Sequence, residues 1–216
     1  MIVNEIAKNL FTTIFDEKLI EEIGKYGILK NAEPDQILLE IRRDVHFVPI
    51  IVSGIAKVMR RDGKGNGLFL HYLSDAQLSA IAISYGLQNK KSEIRIKAET
   101  NITYIAVPIK TVNLWFDKFQ LWRNYFLKIN QIQTSQVIEK VNDLAFENLE
   151  FRVLKYLKET SLIHKSNLIP RKHFDIARDL KVTREAISRV LKKMEKDQII
   201  TLGRNKITLN NNGVKR

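Results

Sequence analysis

The spacing of the hydrophobic residues changes twice along this chain, and this limits the folds open to it. Residues 1 to about 30 repeat their apolar side chains at helical spacing and end at Gly24 and Gly27, and helical spacing returns from about Ile109. Between Asn31 and Pro108 the pattern is one of short Ile-, Val- and Leu-rich segments separated by turn residues. The predicted strands are Gln36–Glu40, Phe47–Ile51, Ile55–Met59, Leu68–Tyr72, Glu93–Ala98 and Thr103–Val107. The expected fold class is therefore α+β, with a compact antiparallel roll or barrel followed by helices.

The composition excludes several classes of protein. The 216 residues include no Cys, which rules out disulfide scaffolds, zinc–thiolate sites, iron–sulfur clusters and thiol catalysis. The N-terminal segment carries Glu5, Asp16 and Glu17 and is not typical of a signal peptide, and no apolar run approaches the length of about 18 residues that a membrane span needs. No Ser-His-Asp order, metal cluster or nucleotide loop stands out, so we do not expect an enzyme. Because the chain has no Cys and no typical signal peptide, we expect a cytoplasmic protein.

The formal charge points to an anionic partner. The chain carries 36 Lys and Arg residues against 24 Asp and Glu residues, a net charge of +12. Residues 147–216 alone hold 17 Lys and Arg and 8 Asp and Glu, a net charge of +9. Because most of the excess lies in the last third, we expect a two-part protein whose C-terminal part binds a polyanion, most commonly nucleic acid.

A long helix is expected between the roll and the C-terminal part. Residues 117–145 contain neither Pro nor Gly, and their apolar residues recur mostly at steps of three and four, interrupted by Gln133 and Gln136. A helix of about 40 Å is too long to be covered by a small roll, so a second copy of the helix is the simplest cover. The residues expected to pair two subunits are Phe126, Ile129, Ile132, Val137, Val141 and Leu144.

The sharpest pattern is a helix, a turn and a second helix over residues 173–192. Thr183 is a good N-cap for the second helix, and Glu185 in its first turn suits the helix dipole. Lys181 occupies the turn position usually given to Gly, which costs about 1 kcal/mol if its backbone is left-handed. The apolar residues that fall on the inner faces of the two helices are Ile176, Leu180, Val182, Ile187, Val190 and Leu191.

The outer face of the second helix is polar. Arg bonds both major-groove acceptors of guanine, and Glu accepts from the amino group of cytosine. The residues expected to read bases are Arg184, Glu185, Ser188 and Arg189. Residues 199–209 follow as a strand, a basic turn and a strand, which is the pattern of a β-wing beside the DNA backbone. The residues expected to contact DNA phosphates are Thr183, Lys192, Arg204 and Lys206.

This order of parts resembles the family of the cyclic-AMP receptor protein and the Fnr regulators, the Crp/Fnr family. The resemblance covers nearly the whole chain, and its most specific motif is Val-Thr-Arg-Glu-Ala-Ile-Ser-Arg-Val-Leu at residues 182–191. Residues 51–58 and 96–100 resemble segments of the family's roll. The resemblance implies a cyclic-nucleotide-binding-like β-roll at residues 1–116, a long dimerisation helix at 117–146 and a winged helix-turn-helix domain at 147–216.

The resemblance also implies how such a protein acts. It implies a homodimer that binds double-stranded DNA, with its two recognition helices in successive major grooves about 34 Å apart. In this family the pattern found here as Glu185, Ser188 and Arg189 reads a half-site with a TGA-like core. RNA polymerase is a further partner open to such a regulator.

The effector site of the family is where this sequence departs from the pattern. Cyclic-nucleotide binders carry a Gly-Glu pair and an Arg-Ser pair in the roll. The corresponding positions, our candidate effector pocket, are Ala80, Ile81, Lys90, Lys91 and Ser92. An Ile cannot accept a hydrogen bond from a ribose hydroxyl, and Lys lacks the bidentate fork of Arg. We therefore expect no cyclic AMP in this pocket. We also expect no haem through His46 or His71, no bound metal and, because the chain has no Cys, no iron–sulfur cluster.

The sequence thus predicts a homodimeric, sequence-specific DNA-binding transcription regulator. Either a small effector at the roll shifts the angle between the paired helices and so changes the affinity for DNA, or the roll senses nothing and the protein is locked in its active state. One alternative stays open, namely an effector-binding signalling module whose winged domain contacts protein rather than DNA.

Overall fold

The computed structural model describes residues 2–61, 67–146 and 148–210. These residues form two compact units. The first contains the residues up to 61 and residues 70–137, and the second contains residues 67–69 and the described residues from 138 onward. Within the described residues, no helix combines the length and the apolar composition that crossing a membrane requires.

The first unit begins with two helices, α1 (Ile2–Phe11) and α2 (Glu17–Tyr26). The single helical stretch predicted for residues 1 to about 30 is divided at Asp16, whose carboxylate caps α2 by accepting the N–H of Leu19 at 2.9 Å. Gly24 was predicted to mark the end of the helical stretch, but it lies inside α2. A Cβ atom there would be 2.7 Å from the Cβ of Asn4, so the glycine allows α1 and α2 to pack closely.

Between residues 28 and 108 the described residues form seven strands. They are β1 (Ile28–Ala32), β2 (Ile37–Leu39), β3 (Phe47–Ser53), β4 (Ala56–Arg61), β5 (Gly67–Leu73), β6 (Ile94–Ala98) and β7 (Ile102–Pro108). One sheet has the strand order β1-β7-β3 and the other has the order β2-β6-β4-β5. The six predicted strands are all present, and the predicted roll is confirmed.

Strand β1 is the one that the sequence pattern did not predict. It lies at the edge of its sheet and pairs with β7 in antiparallel register, Ile28 opposite Ala106. Only Ala32 of its five residues is buried, and Ile28 is 58% exposed. An exposed edge strand has no alternation of buried and exposed side chains, which is the signal by which strands are predicted.

Three more helices follow in chain order: α3 (Ala80–Leu87), α4 (Ile109–Lys118) and α5 (Gln120–Phe146). The predicted long helix is confirmed as α5, although it begins three residues later than expected, because Phe119 adopts extended backbone (φ −122°, ψ 114°) after α4. Trp115 of α4 and Trp122 of α5 are both buried, with ring centroids 5.0 Å apart in an edge-to-face arrangement. This contact fixes the N-terminal part of α5 in the core of the first unit.

The second unit contains the C-terminal helices and a small sheet. Its further elements are α6 (Leu149–His164), β8 (Leu168–Ile169), α7 (His173–Leu180), α8 (Arg184–Lys196), β9 (Ile200–Gly203) and β10 (Lys206–Leu209). The sheet has the order β8-β10-β9, and both strand pairs are antiparallel. Helix, turn, helix and β-hairpin follow one another as predicted for a winged helix-turn-helix.

Candidate nucleic-acid interface

The turn between α7 and α8 is fixed by backbone and capping hydrogen bonds. Lys181 takes the left-handed conformation (φ 57°, ψ 46°), and the N–H of Val182 donates to the carbonyl of Ala177 at 3.0 Å. Thr183 caps α8 by accepting the N–H of Ala186 at 3.2 Å. Lys181 thus has the left-handed backbone to which the expected cost applies, and the predicted N-cap at Thr183 is confirmed.

Helix α8 separates into a buried face and an exposed face. Ile187, Leu191 and Met194 are buried in the second unit. The exposed face carries Arg184, Glu185, Arg189 and Lys192. Three of the four residues predicted to read bases are therefore available to a partner.

Ser188 is the fourth of these residues, and its position differs. It is half-buried, and its Oγ lies 2.9 Å from Nδ1 of His173 on α7. Burial lowers the pKa of His173, and the charges of Arg184 and Lys192 lower it further. The imidazole is therefore neutral at pH 7 and orients the Ser188 hydroxyl, which the sequence pattern did not indicate.

A cationic groove opens beside the start of α8. Its cavity measures about 500 Å³ and is formed by the segment before α7, the first two residues of α7, the first residue of α8 and the β9–β10 hairpin. Four cationic side chains line it, and none of the lining residues is acidic. The four are Arg171, Lys172, Arg184 and Lys206. Such a concentration of positive charge in a concave surface attracts an anion such as a phosphate group.

The groove includes some predicted phosphate contacts and adds others. Lys206 lines it, whereas Arg204 is exposed at the hairpin turn and is not among its lining residues. Arg171 and Lys172 were not predicted. The signal that would have found them is a proline followed by two basic residues just before the first helix of the motif.

Helix α6 supports the end of α7 from which the turn departs. The hydroxyl of Tyr156 donates to the buried carboxylate of Asp179 at 2.8 Å. The guanidinium of Arg152 donates to the carbonyl of Leu180 at 2.7 Å. Hydrogen bonds to charged groups are the stronger ones, so these two contacts hold the last turn of α7 and with it the position of α8.

Two of the five residues of the candidate effector pocket are buried and hydrogen-bonded within the protomer. Ala80 is buried at the start of α3, and its N–H donates to Oε1 of Gln133 on α5 at 2.9 Å. The hydroxyl of the buried Ser92 bonds to the carbonyl and the N–H of Ile94 at 2.8 and 3.1 Å. The others are Ile81, which is half-buried, and the exposed Lys90 and Lys91. None of the five lines the cationic groove of the second unit or the cavity beside α5 in the first unit.

The residues predicted to pair two subunits lie on more than one face of α5. Ile129 is buried in the core of the first unit and Phe126 packs against that core, so these two side chains are used within the protomer. Ile132 and Val141 are exposed, and Val137 is half-buried. The side chain of Leu144 lies outside the described residues.

Three large apolar residues of α5, of which only Val141 was predicted, form an exposed stripe. Leu127, Ile138 and Val141 are 61%, 56% and 57% exposed. With Gln131 and Thr134 between them, they follow steps of four, three, four and three along the helix, which is the heptad spacing of paired helices. We call Leu127, Ile138 and Val141 the α5 stripe.

Comparison with known proteins agrees with this architecture. Residues 151–212 match the family model of the Crp-like helix-turn-helix domain. A Crp/Fnr-family transcriptional regulator from Eubacterium rectale is 21% identical, and the match covers 94% of this chain and 95% of that one with a TM-score of 0.82. The c-di-GMP responsive regulator CLP from Xanthomonas campestris is 16% identical over 90% of this chain and 99% of its own, with a TM-score of 0.76. No curated protein matches this chain.

A third solved structure shows the same likeness. It is a Crp/Fnr-family regulator from Thermus thermophilus, 16% identical over 87% of this chain and 96% of its own, with a TM-score of 0.68. At such identities the solved structures establish the fold, and the family model identifies the C-terminal motif. The chain has the fold of the Crp/Fnr transcriptional regulators, and its residues 151–212 are a Crp-like helix-turn-helix domain.

Proposed function

We propose that this protein is a sequence-specific DNA-binding transcription regulator, that it acts as a homodimer, and that an effector other than cyclic AMP controls it through the β-roll. One observation carries the proposal. The exposed polar face of α8 lies beside a groove lined by four cationic side chains. A base-reading surface next to a phosphate-binding surface is what a recognition helix needs.

The outer face of α8 supports a division of roles among its side chains. Glu185, Arg189 and Lys192 are spaced by four and three residues, so they follow one line along the exposed helix surface. Arg189 on this line would bond guanine with two hydrogen bonds, and Glu185 would accept from cytosine. Arg184 was expected to read bases, but it lines the groove with Lys206, so in this proposal both would contact phosphates and set the register of the helix on the duplex.

The α5 stripe supports the homodimer. Its three large apolar side chains are more than half exposed in the protomer, and their heptad spacing suits pairing with an identical helix. Pairing two copies would place two α8 helices on one duplex, where half-sites one helical turn apart are about 34 Å from each other.

The hydrogen bonds of Gln133 support control by an effector other than cyclic AMP. The N–H of Ala80 is already satisfied by the carboxamide of Gln133, whose Nε2 also donates to the carbonyl of Leu78 at 2.7 Å. Ile81 beside it has no hydrogen-bonding side chain for a ribose. The start of α3 is thus occupied by a side chain of α5.

The test is selection of bound sequences from a pool of random duplexes, followed by a comparison of variants on the selected site. We expect an enriched two-fold symmetric sequence. Replacing Arg189 by Ala should cost roughly 1–3 kcal/mol of binding free energy and relax the choice at one base pair of each half-site. Arg43→Ala, which removes an exposed arginine of the first unit, is the matched control and should bind as the wild type does.

Two results would contradict the proposal. One is a pool without any enriched sequence. The other is an Arg189→Ala variant that keeps full discrimination between bases. If duplex affinity were also independent of salt, the alternative in which the winged domain contacts protein would be favoured, because DNA binding releases counterions and protein contacts need not.

A further inference from the structure

The hydroxyl of Ser188 in α8 is bonded to a side chain of another helix. A hydroxyl inside a helix often donates to the carbonyl four residues back in the same helix. Ser84 in α3 and Thr160 in α6 do so, at 3.0 and 2.8 Å. The Oγ of Ser188 instead lies 2.9 Å from Nδ1 of His173, the first residue of α7. The direction of this hydroxyl is therefore set from α7.

Ser188 also lies on the face of α8 that is proposed to meet DNA. It follows Arg184 by four residues and precedes Lys192 by four, and residues at this spacing are neighbours on one helix surface. Both neighbours are exposed, and Ser188 itself is half-buried. The inference below rests on the proposed function, in which this face enters the major groove.

The protonation state of the His173 ring decides which hydrogen bond Ser188 has left for DNA. An imidazolium donates from both nitrogens, so the Ser188 oxygen accepts from Nδ1 and its O–H is left to donate to a base. A neutral ring has one N–H and one acceptor nitrogen. His173 lines the cationic groove, and a phosphate there favours the N–H on Nε2, the nitrogen that Ser188 does not use. Nδ1 then accepts the Ser188 O–H, and only the lone pairs of Oγ remain for a base.

These two arrangements fit different bases. In the major groove guanine presents two acceptors, N7 and O6, whereas cytosine presents the donor N4 amino group. A hydroxyl that donates therefore fits guanine, and a hydroxyl that only accepts fits cytosine.

We propose that His173 is a positioning residue that determines the base chosen by Ser188, guanine when the ring is protonated and cytosine when it is neutral. The choice at one base pair of each half-site then depends on pH. His173 itself contacts no base in this arrangement and acts through the Ser188 hydroxyl.

The cationic residues around His173 oppose its protonation in the free protein. Burial lowers its pKa, and Arg184 and Lys192 of α8 lower it further. Other cations line the same groove, from the segment before α7 and from β10, namely Arg171, Lys172 and Lys206. A DNA phosphate in the groove offsets these charges, so the pKa of His173 rises in the complex.

The acidic side chains of α7 already have partners. Asp175 accepts the N–H of Lys172 at 3.3 Å and pairs with Arg178 at 3.3 Å. Helix α6 contacts α7 at its other end, where the polar contacts are those of Tyr156 with Asp179 and of Arg152 with Leu180. The titration of His173 is therefore governed by the cations of the groove and by the phosphate that they attract.

The test compares duplexes that differ only at the base pair whose choice Ser188→Ala relaxes in the selected site. Fluorescence anisotropy at constant salt gives the ratio of the affinities for guanine and for cytosine at that position, from pH about 5 to about 8. Effects of pH that are common to both duplexes cancel in this ratio. We expect the ratio to rise roughly fivefold, the value of one hydrogen bond, as the pH falls through the pKa of His173 in the complex.

Ring ¹⁵N chemical shifts of His173 in the two complexes measure that pKa directly. Because the two effects are linked, the pKa should be higher in the complex with the guanine duplex than in the complex with the cytosine duplex. A merely structural role of His173 would not produce this difference.

Three comparisons isolate the residue responsible. The side chain of His173→Asn can donate and accept but does not titrate, so its ratio should be the same at every pH. His46→Asn removes an exposed imidazole of the first unit and should keep the wild-type dependence. The base pair whose choice Arg189→Ala relaxes should show no dependence on pH, because arginine does not titrate in this range.

Several results would overturn the inference: a ratio that stays constant while His173 titrates, a ring that does not titrate in the complex, a dependence that persists in His173→Asn, or a Ser188→Ala variant that relaxes no base pair. The selection from random duplexes and the Arg189→Ala variant measure the proposed function separately. A protein that selects a symmetric site but shows a constant ratio fails only the present inference.

Discussion

His173 connects the two helices of the DNA-binding motif through a single side chain. It begins α7, its Nδ1 lies 2.9 Å from the hydroxyl of Ser188 on α8, and its ring lines the cationic groove. Arg184 and Lys192 of α8 lower its pKa in addition to burial. An anion placed beside Arg184 and Lys192 would offset their positive charge and raise the pKa of His173 again.

This residue leads to a pH prediction. A DNA phosphate in the groove should raise the pKa of His173, so the complex should bind a proton that the free protein does not. Affinity should therefore rise as the pH falls through the pKa of His173 in the complex, by at most about tenfold per pH unit for each subunit, and level off below its lower pKa in the free protein. Fluorescence anisotropy on the selected duplex at constant salt measures this slope.

The matched variants isolate the residue responsible for the slope. His173→Asn can still hydrogen-bond Ser188 but does not titrate, so it should remove the His173 part of the pH dependence. His46→Asn should keep the wild-type slope, because His46 is an exposed residue of the first unit. A slope that survives in His173→Asn would show that the proton binds elsewhere.

At the scale of the elements, local signals were enough for the DNA-binding motif and not for α5. The cap at Thr183, the left-handed Lys181 and the buried face of α8 all follow from a stretch of about twenty residues. The side of α5 that faces the core depends instead on distant partners. Phe15, for example, lies 5.0 Å from Tyr125 between ring centroids. Sequence spacing alone therefore could not separate the core-facing Ile129 from the exposed Ile138.

The candidate effector pocket shows the same limit more strongly. Gln133 and Ala80 are 53 residues apart, and the sequence carries no local sign that a glutamine of α5 would bond the first N–H of α3. The unpaired nitrogens of His71 are likewise a product of packing. The resemblance to a family suggested the positions of the candidate effector pocket, and the tertiary contacts show that Ala80 and Ser92 among them are hydrogen-bonded within the protomer.

The α5 stripe leads to a prediction about assembly. A Glu at position 138 would place two like charges in an apolar helix pair, at a cost of roughly 3 kcal/mol or more. Ile138→Glu should therefore shift the protein toward monomer in sedimentation velocity and weaken its binding to the symmetric duplex. Leu114→Glu changes an equally exposed leucine of α4 and is the control. A dimer of unchanged affinity in Ile138→Glu would contradict the role of the stripe.

At the scale of the whole molecule, positive charge is unevenly distributed. The net charge of the chain is +12, and residues 147–216 contribute +9 of it. A partner that carries one negative charge for about every 1.7 Å of its axis, as duplex DNA does, would release counterions as these residues approach it. The slope of log affinity against log salt concentration therefore reports how many phosphates the complete assembly contacts.

The number of phosphate contacts distinguishes binding by a dimer from binding by a single subunit. Arg204 is exposed at the turn of the wing, and each phosphate contact contributes about 0.9 to the slope of log affinity against log salt concentration. Arg204→Ala should lower the slope by about 1.8 if two subunits bind one duplex, and by about 0.9 if a single subunit binds. Titrations at several salt concentrations measure the slope, with Arg43→Ala as the control. An unchanged slope would show that the wing does not contact the DNA backbone, and a decrease of about 0.9 would show that DNA is bound by a single subunit.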